Sequence, residues 1–495
     1  MKNITFNNYY TYDDVLIKPK FSNVLSRKNV CLKTKLTKNI TLNTPIISSN
    51  MDTITEDSMA IEIAKIGGIG IIHRYCTIDK QIEMVKKVKR YTNYIIHQPY
   101  TINEKLLMEE LIFKMKEKKI KSFLVENEEN ELVGIITNRD LLFYNSVVKT
   151  NEKEDIIKEF MTPFDKLITI NKNDLLTFDI NDIINIMTKN KIQRLPITDN
   201  KNKIIEGLIT LKDMLNRTSN DFKTKANLDN NSQLRVGAAV GVNKDYLERT
   251  SRLISEGCDI ICLDVAHGHH SLCGDAIKKI KVLYPNIDII AGNVCTGEGV
   301  KYLVDCGASC VKVGIGPGSI CITRKQTGCG APQLSSVIEC AKVANELGIT
   351  IIADGGHNGT IGNIFKALCC GASACMLGGF LSGTLETPGN VYTKLDKKVK
   401  HIRGMAGIFA NFDKSEKMGE DTKDIESMTP EGVEGYVPFK GPVKDIIHQI
   451  EGGIKSGLSY VGCGSLEKLK DTDINFVLIT ANGYRESGSH NIHEI

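Results

Sequence analysis

Cys321 is the side chain best placed in this sequence to form a covalent bond to a substrate. It lies in the run Val-Lys-Val-Gly-Ile-Gly-Pro-Gly-Ser-Ile-Cys-Ile-Thr-Arg-Lys-Gln-Thr-Gly-Cys-Gly-Ala-Pro-Gln, residues 311–333. An apolar strand runs straight into a glycine-rich loop. Gly314, Gly316 and Gly318 let backbone N–H groups approach an anion with no Cβ in the way. A thiol beside such a loop can attack an electrophilic carbon while the loop holds a phosphate. Thr323, two residues on, can relay a proton to a leaving group. Ser319 adds a further phosphate donor. Two glycine pairs follow later apolar runs, in Asp354-Gly355-Gly356 and Leu377-Gly378-Gly379. Either pair alone reads as a tight turn. Together with the Cys321 loop they form a phosphate cradle, and Asp354 then suits ribose hydroxyls.

These groups need a scaffold that brings distant loops to one face. Short apolar strands recur at residues 45–50, 70–73, 236–240, 259–264, 287–293, 310–314, 350–354 and 374–378. Amphipathic stretches separate them, as at 244–256, 299–306 and 334–347. Continuous apolar strands alternating with helices predict a parallel sheet buried on both faces. Eight such units predict an α/β chain folded as a TIM (β/α)8 barrel. Asn50, Asp264, Asn293, Cys321 and Asp354 fall at the C-terminal ends of the strands, the face where such barrels keep their chemistry.

The pattern breaks at about residues 93–228, so the barrel is assigned to 1–92 and 229–495. Inside the break, 123–140 parallels 195–213, and each copy reads helix, strand, turn, strand, helix, over about 94–149 and 157–218. Phe160-Met-Thr-Pro163 opens the second copy. Residues 223–233, polar and rich in Asn, read as the linker back into the barrel. The insertion resembles a tandem CBS (Bateman) domain. That resemblance implies nucleotide contacts from Thr137, Asp140, Thr210 and Asp213; capping of the helices that start there is the equal alternative.

Composition bounds the rest. A chain of 495 residues needs more than one core. A net charge of +4 is too small over this length to favour nucleic acid or a membrane surface. The opening residues lack a signal-peptide core, and no apolar run reaches membrane-spanning length. The 15 cysteines do not fall in a zinc pattern, and several, such as Cys262 and Cys375, sit inside apolar runs as small hydrophobes. A reducing, cytoplasmic setting is expected.

The Cys321 loop resembles the active-site loop of the IMP dehydrogenase/GMP reductase superfamily. The likeness extends to Tyr12-Asp-Asp-Val-Leu-Ile17, Ser49-Asn-Met-Asp52, the CBS insertion and Pro430-Glu-Gly-Val-Glu-Gly435. It implies a covalent purine–Cys321 intermediate, with the Glu431 carboxylate acting beside Thr323. It implies nucleotide contacts from Ser49, Met51, Gly404 and Met405. Asp264, Val265 and Ala266, with Gly314 and Gly316, would line a nicotinamide site, taking NADP or alternatively NAD. The backbone carbonyls of Gly316, Gly318 and Cys321 would hold a potassium ion, with Glu486 contributing from the tail. GMP or IMP as substrate, purine nucleotides as regulators, and a homotetramer or octamer are implied as well.

Within the superfamily, hydrolysis of the adduct uses an Arg–Tyr pair in a mobile flap, here part of 402–436. No such pair occurs in 412–428, and Met418-Gly419 falls near its place. Cys262-Leu-Asp-Val-Ala, Ala291-Gly-Asn-Val-Cys-Thr-Gly-Glu298 and Arg324-Lys-Gln-Thr-Gly328 also resemble GMP reductase more closely. The expected activity is therefore NADPH-dependent reduction of GMP to IMP with release of ammonia. The alternative is IMP dehydrogenase, which Glu431-Gly-Val-Glu-Gly435, the CBS insertion and Gly483-Tyr-Arg-Glu-Ser487 resemble. A catalytically silent nucleotide sensor is a third reading. Ile402 stands where the superfamily has a tyrosine in its phosphate cradle, and His357-Asn358 depart from both patterns.

Overall fold

The computed structural model describes residues 4–91, 95–96, 99–118, 120–146, 155–176, 178, 180–199, 203–218, 220–418 and 429–489. Two compact units divide it, Met1–Tyr91 with Lys225–Ile495, and Thr92–Thr224.

The first unit is a closed parallel barrel. Its strands are β1 (Ile46–Ser48), β2 (Ile69–Ile72), β3 (Val236–Val240), β4 (Ile260–Leu263), β5 (Asp288–Val294), β6 (Cys310–Val313), β7 (Thr350–Asp354) and β8 (Ala374–Leu377). β8 closes on β1 through Cys375↔Ile46, and β2 pairs with β3 through Gly70↔Val236. All eight expected strands are present. A helix follows each: α1 (Asp57–Lys65), α2 (Ile78–Arg90), α3 (Tyr246–Ser255), α4 (Ser271–Leu283), α5 (Gly297–Asp305), α6 (Gln333–Glu346), α7 (Ile361–Cys369) and α8 (Val443–Tyr460).

The strands are apolar on both faces because one face fills the barrel and the other meets the helices. Ile47, Ile71, Cys262, Ile290, Cys310, Ile352 and Met376 pack inside, and Leu36, Ile40 and Leu42 from a short antiparallel hairpin and its turn complete that core. Each such aliphatic side chain contributes about 1.5–3 kcal/mol. Side chains along a strand alternate in direction. Lys312, two residues past Cys310, and Asp354, two past Ile352, therefore continue the inward faces toward the C-terminal rim. Helix starts are fixed locally. Thr77 caps α2 by accepting from Lys80 N, and Thr296 caps α5 by accepting from Gly299 N.

The second unit holds two four-stranded sheets. In one, Thr162–Pro163, Leu132–Thr137, Ser122–Glu126 and Thr101–Asn103 lie side by side; in the other, Ile170–Asn171, Arg194–Thr198, Ile205–Thr210 and Ile95–Ile96. The repeats are therefore interlocked. Thr162–Pro163, expected to open the second copy, pairs instead with Gly134 and Ile135 of the first. Ile95–Ile96, which starts the insertion, pairs with Leu208 and Ile209 of the second. This explains a glycine in each copy. A Cβ on Gly134 would sit 2.7 Å from Thr162 O, and one on Gly207 would sit 3.1 Å from Ile96 O.

The barrel unit resumes at Lys225, four residues before the expected 229, and part of the segment read as a linker is buried. Asn227 is buried, and its amide donates to Gly68 O at 2.9 Å. Asp229 closes a tight turn with Gln233, its N–H donating to Gln233 O. Lys89, in the last turn of α2, donates to Asp229 Oδ2 at 2.9 Å and to Asp259 Oδ2 at 2.6 Å. The chain is thus clamped where it leaves the barrel and where it re-enters.

Candidate active site

Cys321 lines a cleft of about 400 Å³ at the C-terminal rim of the barrel. Ser49, Asn50, Met51, Asp264, Asn293, Lys312, Asp354 and Glu431 line it too. The ends of five different barrel strands therefore converge on one space. The residue after the thiol, Ile322, donates its N–H to Glu431 O at 2.8 Å, and Val433 N donates to Ile320 O at 3.0 Å. A two-way backbone pairing thus lays the Glu431 segment along the Cys321 loop.

The side chains complete a relay. Thr323 Oγ1 donates to Glu431 Oε2 at 2.8 Å, and Cys321 Sγ lies 3.1 Å from Thr323 Oγ1. With the hydroxyl hydrogen committed to the carboxylate, the thiol is the donor to Thr323. A proton can pass from sulfur through the hydroxyl to Glu431, and return along the same path to a leaving group. The other interior thiols are unsuited to this. Burial pushes Cys262 and Cys310 up to about 12, which keeps them protonated at neutral pH.

The residues expected to cradle a phosphate gather at one end of the loop. Gly356 N donates to Pro317 O at 3.0 Å. A Cβ on Gly355 would lie 3.2 Å from Gly318 N, one on Gly379 2.9 Å from Ser319 Oγ, and one on Gly378 3.1 Å from Met51 Sδ. The buried Ile402 pairs with Gly435 in the strand Lys397–Arg403, so that position offers no phenol to a phosphate. His357 and Asn358 serve a different end. His357 stacks on Tyr12 with ring centroids 5.8 Å apart, and Asn358 Nδ2 donates to Asp13 Oδ2 at 2.8 Å. Both fasten the N-terminal turn Tyr12–Asp14 to the barrel.

The opposite wall is built by Asp264, Val265 and Ala266. Arg74 Nε donates to Asp264 Oδ2 at 2.9 Å. Burial lowers the Arg74 pKa, but Asp264 outweighs it and the guanidinium is held above its ordinary value. Tyr75 OH donates to Met405 O at 2.8 Å. Burial pushes this phenol up to about 12, against the opposing pull of Arg74. Gly404 and Met405 thus sit at the base of the flap, where Arg403 is gripped by Asp52 at 2.9 Å and Asp413 at 2.6 Å. Gly419, beside Met418, lies outside the described residues.

Lys312, Arg74 and Tyr75 line the site without having been singled out from sequence. Lys312 was the most legible of them, as a lone cation inside an apolar strand. One expected residue is not brought to the site by one chain. Glu486 is exposed on the short helix Ala481–Glu486, and among the described residues no hydrogen bond ties it to the Cys321 loop. Of the carbonyls expected to hold a cation, that of Gly318 accepts Cys321 N–H at 3.1 Å; Gly316 adopts φ +79° beside Arg324.

In the second unit, Thr137 and Asp140 do cap the helix Asn138–Ser146: Thr137 N–H and Oγ1 both bond Asp140 Oδ2, at 2.7 and 2.8 Å. They also line a cavity of about 300 Å³ with Lys121, Arg139, Lys166, Lys191 and Arg194. Thr210 is not among its lining residues, and the side chain of Asp213 lies outside the described ones.

Comparison with known proteins places the whole chain. Residues 9–490 match the family described as IMP dehydrogenase / GMP reductase domain. An inosine-5'-monophosphate dehydrogenase of Nitrosopumilus maritimus is 42% identical over 98% of this chain and 99% of its own length. A GMP reductase of Leishmania major is 42% identical over 98% of this chain and 97% of its own. A crystal structure of a cysteine-to-alanine variant of GMP reductase from Trypanosoma brucei, in complex with guanosine 5'-monophosphate, superposes with a TM-score of 0.86 at 41% identity, covering 99% of both chains.

Proposed function

Because this chain belongs to the IMP dehydrogenase / GMP reductase family, whose members are NAD(P)-dependent purine nucleotide oxidoreductases, we propose that it is a GMP reductase. Cys321 attacks C2 of GMP, and the Thr323–Glu431 relay passes a proton to the departing amine, which leaves as ammonia. When bound, NADPH supplies the hydride that resolves the adduct. Cys321 then leaves as the thiolate and IMP is released. Asp264, Val265 and Ala266 fit such a cofactor, since they line the cleft that holds Cys321. Ser49, Met51, Ser319, Gly355, Gly356, Gly378 and Gly379 bind the nucleotide, and Asp354 takes the ribose.

The observation that carries the direction is the flap sequence, which lacks an Arg–Tyr pair over 412–428. The cleft does contain one such pair, Arg74–Tyr75, but its geometry argues against a substitute role. A general base must accept a proton near neutral pH. Arg74 is tied to Asp264, and the Tyr75 hydroxyl is spent on Met405 O. The two relatives above are equally identical to the chain, so overall likeness does not choose between them. IMP dehydrogenase is the alternative, favoured by the segment 431–435. The intact relay speaks against a silent sensor.

The insertion is read as a CBS regulatory domain. Five cations around one cavity suit the phosphates of a purine nucleotide. A potassium site at Gly316, Gly318 and Cys321 would need the Glu486 region of a second copy, in keeping with a homotetramer or octamer. No helix among the described residues is long and apolar enough to cross a membrane.

The deciding experiment is a side-by-side steady-state assay. GMP with NADPH should give multiple turnovers and ammonia. IMP with NAD should give a trace at most. Sustained XMP formation would reassign the chain to IMP dehydrogenase.

A further inference from the structure

Lys312 is 4% exposed, in a strand whose neighbours are all buried. A buried ammonium is costly unless it is paired and hydrogen-bonded. Its Nζ donates to Asp354 Oδ2 at 2.9 Å and to Asn293 Oδ1. Asn293 Nδ2 in turn donates to the same Asp354 Oδ2 at 2.9 Å and to Gly314 O at 2.7 Å. Three strand ends are thereby tied together: β5 through Asn293, β6 through Lys312 and Gly314, and β7 through Asp354. Gln333 Nε2 reinforces the tie, donating to Val313 O at 2.8 Å and Asp354 O at 3.2 Å.

Both side-chain donors fall on one oxygen of Asp354. That fixes the carboxylate plane and presents the other oxygen, Oδ1, as the acceptor for a ligand. The arrangement also joins the carboxylate to Gly314, where the Cys321 loop begins. Burial pulls the Lys312 pKa down, but Asp354 and Asp264 outweigh it and hold it above its ordinary value.

We propose that Lys312, with Asn293, is a positioning residue for substrate specificity: it aims Asp354 at the ribose hydroxyls and so makes the site select ribonucleotides over deoxyribonucleotides. This rests on the reading of Asp354 as the ribose-binding group. A fixed carboxylate rejects a ligand lacking the hydroxyl because its acceptor is left unpaired. A carboxylate free to rotate loses that penalty.

The test is calorimetric binding of GMP and of its 2′-deoxy and 3′-deoxy analogues to the full chain. Hydrogen bonds to a charged group are worth roughly a 10- to 100-fold preference for GMP over the analogue lacking the contacted hydroxyl. Asp354→Ala should abolish that preference. Lys312→Met should reduce it about as far, Lys312→Arg should recover part of it, and the Lys312→Met/Asp354→Ala double variant should lose no more than Asp354→Ala alone. A merely structural lysine would weaken all three nucleotides equally. Wild-type preference in Lys312→Met, beside its loss in Asp354→Ala, overturns the proposal while sparing the ribose reading. Wild-type preference in Asp354→Ala overturns both. Should Lys312→Met fail to fold, Asn293→Ala removes the other donor to Oδ2, and retained preference there overturns the proposal equally.

Discussion

The hydroxyl of Thr323 lies 3.1 Å from the sulfur of Cys321, close enough for the two to exchange a proton without an intervening water. Thr323→Val keeps the shape and removes the relay. Loss of general acid–base help is typically worth about 10²–10⁴-fold, so kcat should fall by that order while the affinity for GMP stays near wild type. Glu431→Gln should produce a loss of the same order, and the two together little more than either. Additive losses would show that the residues act separately.

Cys321→Ala should abolish turnover and leave nucleotide binding in place. Removing a nucleophile typically costs on the order of 10⁴–10⁶-fold in kcat. Calorimetry beside a turnover assay separates the two effects. Retained turnover would remove the covalent route.

The direction of the reaction should be open to redesign. If the flap lacks only a base for water, Met418→Arg with Gly419→Tyr should raise steady-state XMP formation from IMP. A rise within about 10²-fold is the scale expected for a base that is present but imperfectly placed. No change in XMP alongside intact GMP reduction would mean that more than the pair is missing.

The insertion should be dispensable for chemistry, provided it is cut at the right places. Replacing 92–224 with a short Gly/Ser linker should leave an active barrel that no longer responds to purine nucleotides. Extending the cut to 228 removes Ala226 and Asn227, both buried, and should lower the melting temperature. An inactive but folded 92–224 deletion would contradict this.

Stability should carry an acid limb from His357. Burial lowers its pKa to about 4, with Asp354 opposing, whereas an unfolded histidine titrates near 6.5. The unfolded chain therefore binds the proton first. Stability is complete above about pH 6.5 and is lost as pH falls toward 4, by up to about 3 kcal/mol. His357→Phe should flatten that limb in urea titrations at pH 7 and pH 5. An equal pH dependence in the variant would assign the limb to other groups.

The barrel was legible in the sequence because its strands are buried on both faces. A run such as Val236–Val240 has no polar side to confuse the reading. The Cys321 loop and the glycine pairs were legible for a different reason: their chemistry is local in sequence. What stayed hidden depends on contacts across the fold. Nothing near Tyr75 announces that its hydroxyl ends on Met405, 330 residues away. The strand exchange in the insertion was hidden too, since two-residue strands such as Ile95–Ile96 carry no periodicity. The Asn-rich return segment read as a linker on composition, yet Asn227 is core because its amide finds Gly68 O.

The clamp of Lys89 on Asp229 also bears on the order in which the molecule assembles. β2 can pair with β3 only when the chain on either side of the whole insertion is brought together. For a flexible coil each doubling of such a tether costs about 0.6 kcal/mol in closure entropy. The insertion has hydrophobic clusters of its own, around Phe123 and Ile136 and around Leu195 and Ile209, and once it condenses the tether shrinks to the short stretches at its two ends. Assembly of the inserted unit first would therefore lower the cost of barrel closure. Mutations that loosen it should slow the recovery of activity on refolding, which stopped-flow refolding followed by a turnover assay would read.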